Sequence, residues 1–367
     1  MRTTALSAID GHQIFELCCL DLSKAFDAVN REILLEKLEY YGFRGPILKL
    51  LKSYLQDRSQ VVEVSGKLSK ESVIKIGVPQ GSILGPILFI IYINDLTNNV
   101  SSDVKCIYAD DSSFGNVGPT ETEARAKTEV MLKQAAEWFQ ANELKQNAEK
   151  TQRITFSGKT RSYPESLKLL GVTLDSSLKW KTHILNLTKR LSYAVYSIRV
   201  IKATMSEEAG ILTYYSYFHS IATYGILLWG AASEANSVFL LQKKAVRVIA
   251  GVSQRVSCRN LFLKYGILTI PSVYILTALC KAHSDHIDEI QQHNYETRNK
   301  RNIVLPRHRL TITQKNYNFL GIKMHNRLPQ NWRDLNSIRF KYRLKKFLLE
   351  NVLYSIEEFM NIDFGNV

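Results

Sequence analysis

Two adjacent carboxylates, Asp110 and Asp111, follow an apolar run from Val104 to Tyr108 and precede two serines. Each charge raises the cost of ionising the other. A chain tolerates such a pair where a divalent cation neutralises both, or where water solvates both at a turn. A third carboxylate, Asp21, sits at the end of another apolar strand pattern, Phe15 to Leu22. If the two strands are neighbours in one antiparallel sheet, three carboxylates converge at one end. Mg²⁺ takes oxygen ligands and is commonly held by one or two carboxylates plus substrate phosphates. Two such ions about 4 Å apart activate an attacking oxygen and stabilise a leaving one in phosphoryl transfer. The plainer reading makes Asp21 a cap of the next helix and Asp110-Asp111 a solvated turn. From either motif alone the two readings weigh about equally.

The elements that must position these residues are legible in outline. Periodicity predicts a helix over Arg31 to Tyr41, stopped by Gly42, and a second over Ile47 to Leu55, opened by Pro46. Gln60–Val64 and Ser72–Ile76 read as a hairpin around Ser65-Gly66-Lys67. The loop Gly77-Val78-Pro79-Gln80-Gly81-Ser82 leads into the apolar run 83–93, expected as a buried helix. A hairpin over about 104–117 carries Asp110-Asp111 at its tip. Thr120-Glu121-Thr122-Glu123 has the form of a capping box and opens a long helix to about Asn142, with Trp138 and Phe139 as core anchors. A strand at 152–157, a basic loop at 158–166 and a strand pair near Leu167–Leu174 follow. Beyond residue 182 helical patterns dominate: 183–203, 206–229, 235–250, 271–287 and 337–353. The aromatics of the second of these (among them Tyr214, Phe218 and Trp229) read as core rather than as a surface for stacking on bases.

Charge separates the chain into halves. Residues 1–160 carry 19 Lys+Arg against 20 Asp+Glu, and residues 161–367 carry 29 against 14. The net charge of +14 therefore lies in the second half, where it suits a polyanionic partner. The segment 298–316 is basic and loop-like, and the last helix carries Arg339, Lys341, Arg343, Lys345 and Lys346. Five cysteines without paired spacing argue for a reduced, intracellular chain. Cys280, His283, His286 and His293 match no zinc spacing. The longest apolar run, Ile87 to Ile93, is too short to span a bilayer, so no membrane association is expected.

Five motifs occur in order: LDLSKAFDAVNREILLEKL, GVPQGSILGPILFIIYINDL, YADDS, NELKQNAEKT and LKLLGVTLD. As an ordered set they resemble the reverse transcriptases of non-LTR (LINE-type) retrotransposons, jockey-like elements above all. The strong motifs cover residues 16–184. The helical stretch to about 250 resembles the family's thumb, and 298–350, with Asn326-Arg327-Leu328-Pro329, resembles the C-terminal part of such reading frames.

The resemblance implies roles for particular residues. Asp21 and Asp110 match the metal-binding pair, with the Leu22 carbonyl as an added ligand. Asp111 matches the supporting neighbour at the metals and the primer end. Phe26 matches the steric gate that disfavours a 2′-OH, although its pattern alone reads as a core ring. Gln80 and Gly81 match the loop lining the nucleotide pocket. Lys150 matches a lysine that assists the departing pyrophosphate, although by itself it would pass for a surface lysine. Leu170-Gly171-Val172 matches the primer grip. The implied fold is α+β: a polymerase palm over 1–182, a helical thumb over 183–255 and a basic helical module over 256–367. The implied cofactor is a pair of Mg²⁺ ions, and the implied partners are an RNA template, a DNA primer and dNTPs. Only 20 residues precede Asp21, so the fingers half that the family places before it is expected to be missing. That shortness keeps open a second class, a decayed or co-opted fragment that binds nucleic acid without chemistry. The intact carboxylates, Phe26 and Gln80 weigh against it.

Overall fold

The computed structural model describes residues 1–158, 165–286 and 302–364. By compactness the chain divides into two units, Met1–Leu170 and Gly171–Val367. The thumb and C-terminal module set apart in the sequence both fall in the second unit.

The first unit opens with α1 (Arg2–Asp10) and β1 (Ile14–Leu20), then α2 (Arg31–Tyr40) and α3 (Pro46–Leu55). Asn30 caps α2: its side-chain oxygen accepts from the backbone N–H of Glu32 at 2.8 Å and of Ile33 at 3.3 Å. The expected single hairpin after α3 is two short pieces. β2 (Arg58–Gln60) pairs with β5 (Ser72–Ile74), and β3 (Glu63–Val64) with β4 (Lys67–Leu68) about a tight Ser65-Gly66 turn. These strands are almost wholly exposed, so no buried face holds them in one continuous ladder.

α4 (Leu84–Ile93) and α5 (Leu96–Asn99) follow. The expectation of a buried α4 holds for one face only. Leu88, Phe89, Tyr92 and Ile93 are buried, whereas Ile83, Ile87 and Ile90 are exposed by 88%, 49% and 54%. The run is apolar all round, and only one side of it meets the core. β6 (Val104–Tyr108), β7 (Asp111–Gly118), α6 (Glu121–Ala141), β8 (Gln152–Phe156) and β9 (Ser166–Leu169) complete the unit. Thr120 caps α6 by accepting from the Glu123 N–H, as the capping box requires.

The sheet is four-stranded and antiparallel, in the order β6-β7-β1-β8. Gly115 in β7 is needed there, because a Cβ would lie 2.3 Å from the Phe15 ring of β1. α6 covers the sheet and contributes Met131, Trp138 and Phe139 to a core shared with Leu34, Leu38, Phe89 and Tyr92. A polar tie runs through that core. Lys37 Nζ meets Asp95 at 2.6 Å and lies 4.6 Å from the Trp138 ring, while Trp138 donates to Asp95. Lys37, Asp95 and Trp138 thereby each keep a polar partner.

The second unit starts with β10 (Val172–Asp175) and continues with α7 (Lys181–Thr204) and α8 (Glu207–Thr213). The expected uninterrupted helix over 206–229 is broken. A π-helical segment (Tyr214–His219) joins α8 to α9 (Ser220–Thr223), and Gly225, at φ +63°, turns the chain into α10 (Ile226–Trp229). Hydroxyls explain the irregularity. Thr213, Ser216, Ser220 and Thr223 all donate to carbonyls four residues back, which competes with the helical ladder. Tyr214, Phe218 and Trp229 are core residues as expected, but Tyr217 and Tyr224 are more than half exposed.

The rest is helical: α11 (Ala235–Ala250), α12 (Arg259–Tyr265), α13 (Ile270–His286), α14 (Thr311–Gln314), α15 (Tyr317–His325), α16 (Gln330–Arg333), α17 (Ser337–Glu350) and α18 (Ile356–Met360). Among the described residues no single helix is long and apolar enough to cross a membrane. Within the Cys/His cluster, His283 pairs with His325 at 3.2 Å and with the Leu335 carbonyl at 2.9 Å. His293, with Arg298, Lys300, Arg301 and most of the 158–166 loop, lies outside the described residues.

Candidate active site

The register of the sheet brings the carboxylates to one end. Leu20 is the last paired residue of β1 and stands opposite Ser112, while Tyr108 of β6 stands opposite Asp111. Asp21 is thus the next residue beyond β1, and Asp111 the first of β7. Asp110 lies in the two-residue turn with Ala109, whose φ of +52° is unusual for a residue with a Cβ. Such strain concentrates at functional sites. The Asp111 carboxyl is pushed upward, first by burial and then by the charges of Asp110 and Asp21. Asp110 and Asp21 therefore both lie within electrostatic reach of Asp111.

A second segment closes on the same end. The backbone N–H of Asn147 donates to the Asp21 carbonyl, and that of Ser23 to the Lys145 carbonyl, each at 2.9 Å. Leu22 bridges to Gln146. These bonds deliver the 3₁₀ turn Ala148–Lys150, and Lys150 Nζ lies 3.5 Å from Asp21 Oδ2. Among the described residues no group of three or more His, Cys, Asp or Glu side chains is placed to hold a metal ion by itself. The donor set nonetheless fits Mg²⁺, which needs only one or two carboxylates and leaves its other positions to water and phosphate. The mutual repulsion at Asp111 is the excess negative charge that a cation would relieve.

The glycine-rich loop is fastened to the segment after Asp21. Val78 N–H donates to the Phe26 carbonyl at 2.9 Å and Gly77 N–H to the Val29 carbonyl at 2.7 Å. Gly77 is at φ +83°, and a Cβ there would lie 2.9 Å from the Asp27 carbonyl oxygen. Only glycine permits so close a backbone approach. The Gln80 side-chain amide donates to Asp27 Oδ1 at 2.7 Å. The Phe26 ring is half-buried and packs on Phe89, with centroids 4.6 Å apart. Gly81, at φ +78°, is open to solvent. A cavity of about 590 Å³ lies beside the loop, lined by Asp27, Arg31, Arg58, Ile76, Gly77 and Gln80 among others.

Two residues here escaped the sequence reading, Asp27 and Arg31. The Arg31 guanidinium donates to the carbonyls of Ile74 at 2.7 Å, Gly77 at 2.9 Å and Ile76 at 3.3 Å. A signal was present. Arg31 is the first residue of α2, where the helix dipole disfavours a cation, so its place there called for another reason. Leu170 and Gly171 both have positive φ, +46° and +79°, and Val172 is buried. They stand where the two compact units divide.

The family described as reverse transcriptase (RNA-dependent DNA polymerase) matches residues 7–174. Residues 7–174 are thus of the reverse transcriptase family. Its relatives are of the non-LTR retrotransposon type. It is 31% identical over 270 residues to a probable RNA-directed DNA polymerase from transposon BS of Drosophila melanogaster, covering 66% of this chain and 30% of that protein. It is 28% identical to the RNA-directed DNA polymerase from mobile element jockey of the same fly, covering 70% and 31%. With the enzyme of transposon X-element the identity is 26%, over 84% of this chain and 36% of that one. The chain therefore spans about a third of the length of these relatives. Among solved structures, apo telomerase from Candida tropicalis aligns with a TM-score of 0.41 at 13% identity, over 95% of this chain and 55% of that one.

Proposed function

We propose that this chain adds deoxynucleotides to the 3′ end of a DNA primer on an RNA template. The observation that carries the proposal is the meeting of Asp21 with the Asp110-Asp111 turn at one end of the sheet, with Lys150 beside them. Asp21, Asp110 and Asp111 are the residues to hold two Mg²⁺ ions, aided by the Leu22 carbonyl. Bound there, the ions supply charge neutralisation for the attacking and leaving oxygens.

The chain's own residues do the positioning. The primer 3′-hydroxyl loses its proton and attacks the α-phosphorus of the incoming dNTP; the bond to the β-phosphate oxygen breaks and pyrophosphate leaves. Lys150 supplies positive charge or a proton to that leaving group. The Phe26 ring, held from behind by Phe89, sits beneath the sugar and excludes a 2′-OH. Gln80 and Gly81 line the nucleotide, and Leu170-Gly171-Val172 holds the primer end. Such a reaction depends more on alignment and charge than on covalent chemistry by the protein.

The test is extension of a labelled DNA primer on an RNA template, with Mg²⁺ and with EDTA. The chain should extend the primer only with the metal, and Asp110→Asn should lower the rate at least about 1,000-fold. Equal extension by the variant overturns the proposal. So does a chain that binds the primer–template but extends it under neither condition, which is the outcome expected of a binding protein without chemistry.

A further inference from the structure

α17 buries Phe340, Leu344, Phe347 and Leu348 and turns the rest of its surface outward. At about 100° per residue the outward residues fall into three rows. Arg339, Arg343 and Lys346, spaced i, i+4, i+7, form one. Lys341 and Lys345 form another. Between them runs a ridge of Ile338 and Tyr342, 83% and 74% exposed. No acidic residue interrupts the helix before Glu350. Its cations are also little used within the protein. Lys346 faces Glu350 at 4.0 Å, and the Arg343 guanidinium lies 5.0 Å over the Trp332 ring. Arg339, Lys341 and Lys345 form no ion pair among the described residues.

A solvated charged face normally interleaves both signs. This one carries a single sign in two parallel rows, with an exposed aromatic along the crest. An α-helix with its side chains is about 10–12 Å across, and the major groove of B-form DNA is about 12 Å wide. Rows on both flanks of a helix seated there meet the phosphates of both strands. The major groove of an A-form RNA duplex is too narrow to admit it. An anionic membrane is the poorer fit, because a surface helix binds membranes through its apolar face, and here that face is packed inside the fold.

We propose that α17 is a docking element for double-stranded DNA, seated in the major groove. The two cationic rows neutralise phosphates on either side, and Tyr342 reaches into the groove. The element lies outside residues 7–174 that match the polymerase family, and its action needs neither dNTP nor metal.

The test is fluorescence anisotropy of the full chain, without nucleotide, on a 20-base-pair DNA duplex and an RNA duplex of the same sequence, across a KCl series. The variant Arg339→Ala/Arg343→Ala/Lys346→Ala should bind the DNA duplex at least about 10-fold more weakly at physiological salt. The slope of log K against log[salt] should fall by about 2–3, as expected for three lost phosphate contacts. Binding to the RNA duplex and the thermal midpoint should stay as in the parent. Lys341→Ala/Lys345→Ala should repeat the effect at a smaller slope change. Unchanged affinity and slope on DNA overturn the proposal, and so does an equal loss on the RNA duplex. Loss confined to phosphatidylserine vesicles also overturns it, in favour of a membrane partner. A chain inactive in primer extension still passes or fails this test on its own terms.

Discussion

Lys150 Nζ lies 3.5 Å from Oδ2 of Asp21. The pair is local in space but not in sequence, and three backbone contacts between residues 21–23 and 145–147 create it. In the proposed reaction a lysine held there serves the leaving pyrophosphate. Lys150→Ala should therefore lower kcat for primer extension by about 10–100-fold, within the usual range for a positioned proton donor. Lys150→Arg should retain charge and recover part of the rate. Primer–template affinity should change little in either. Single-turnover kinetics separate the two effects; an unchanged kcat in the alanine variant removes Lys150 from the chemistry.

Arg31 and Asp27 hold the Gly77–Gln80 loop and the strand that leads into it. Arg31 fixes three carbonyls on the way into the loop, and Asp27 fixes the amide of Gln80. Hydrogen bonds to a charged group contribute about 1.5–3 kcal/mol each way they are counted. Arg31→Ala should raise KM for dNTP about 10-fold with a smaller change in kcat, because the loop loses its set position rather than a reacting group. Arg31→Lys should rescue only in part, since one ammonium cannot reach all three carbonyls in the fork geometry. Steady-state kinetics with each dNTP provide the readout, and a pure kcat effect would contradict a positioning role.

Asp111 is held at a cost to the fold. Burial and the charges of Asp110 and Asp21 push its carboxyl upward, so the ionised form is disfavoured in the folded state. Asp111→Asn removes that repulsion. In metal-free buffer at neutral pH the variant should melt slightly higher than the parent, the gain being limited by solvent screening of a partly exposed group. Polymerase activity should fall in the same variant. A lower melting temperature would mean that the carboxylate contributes to folding in some other way.

The parts of the site that sequence revealed are those fixed by local rules. The hairpin tip at Asp110 follows from an apolar run meeting two polar residues, and the start of α6 follows from the Thr120–Glu123 box. That β1 and β7 are neighbours is only a condition in the sequence, under which three carboxylates would converge; the structure meets it. What sequence left out is long-range. Nothing near Arg31 in the chain says that its partners are the carbonyls of residues 74, 76 and 77. The π-helical segment hides inside a normal helical pattern, because hydroxyl bonds to the fourth carbonyl back leave apolar periodicity intact. The half-exposed face of α4 is invisible for the same reason that the run looked buried: every position is apolar, so the pattern carries no direction.

Among the described residues of the second unit, the imidazoles of His183, His219 and His283 are held below their ordinary range. Burial is the leading cause in each, reinforced by Arg190 at His183 and by Lys345 at His219, and opposed at His283 by the Leu335 carbonyl. Their bonds agree with neutral rings. His183 Nδ1 accepts from the Thr173 N–H at 3.3 Å. The Leu335 carbonyl can only accept, so His283 Nε2 carries the hydrogen and its Nδ1 accepts from His325. In the unfolded chain these groups protonate near pH 6.5, but in the fold only at lower pH. Stability is therefore full above about pH 6.5 and is lost as pH falls from there toward the depressed folded values, by at most about 1.4 kcal/mol per histidine per pH unit. Thermal melts at pH 7.5, 6.5 and 5.5 should show the midpoint falling across that series, and His183→Gln should flatten the dependence. A midpoint constant from pH 7.5 to 5.5 would show that these rings bind protons equally in the folded and unfolded states.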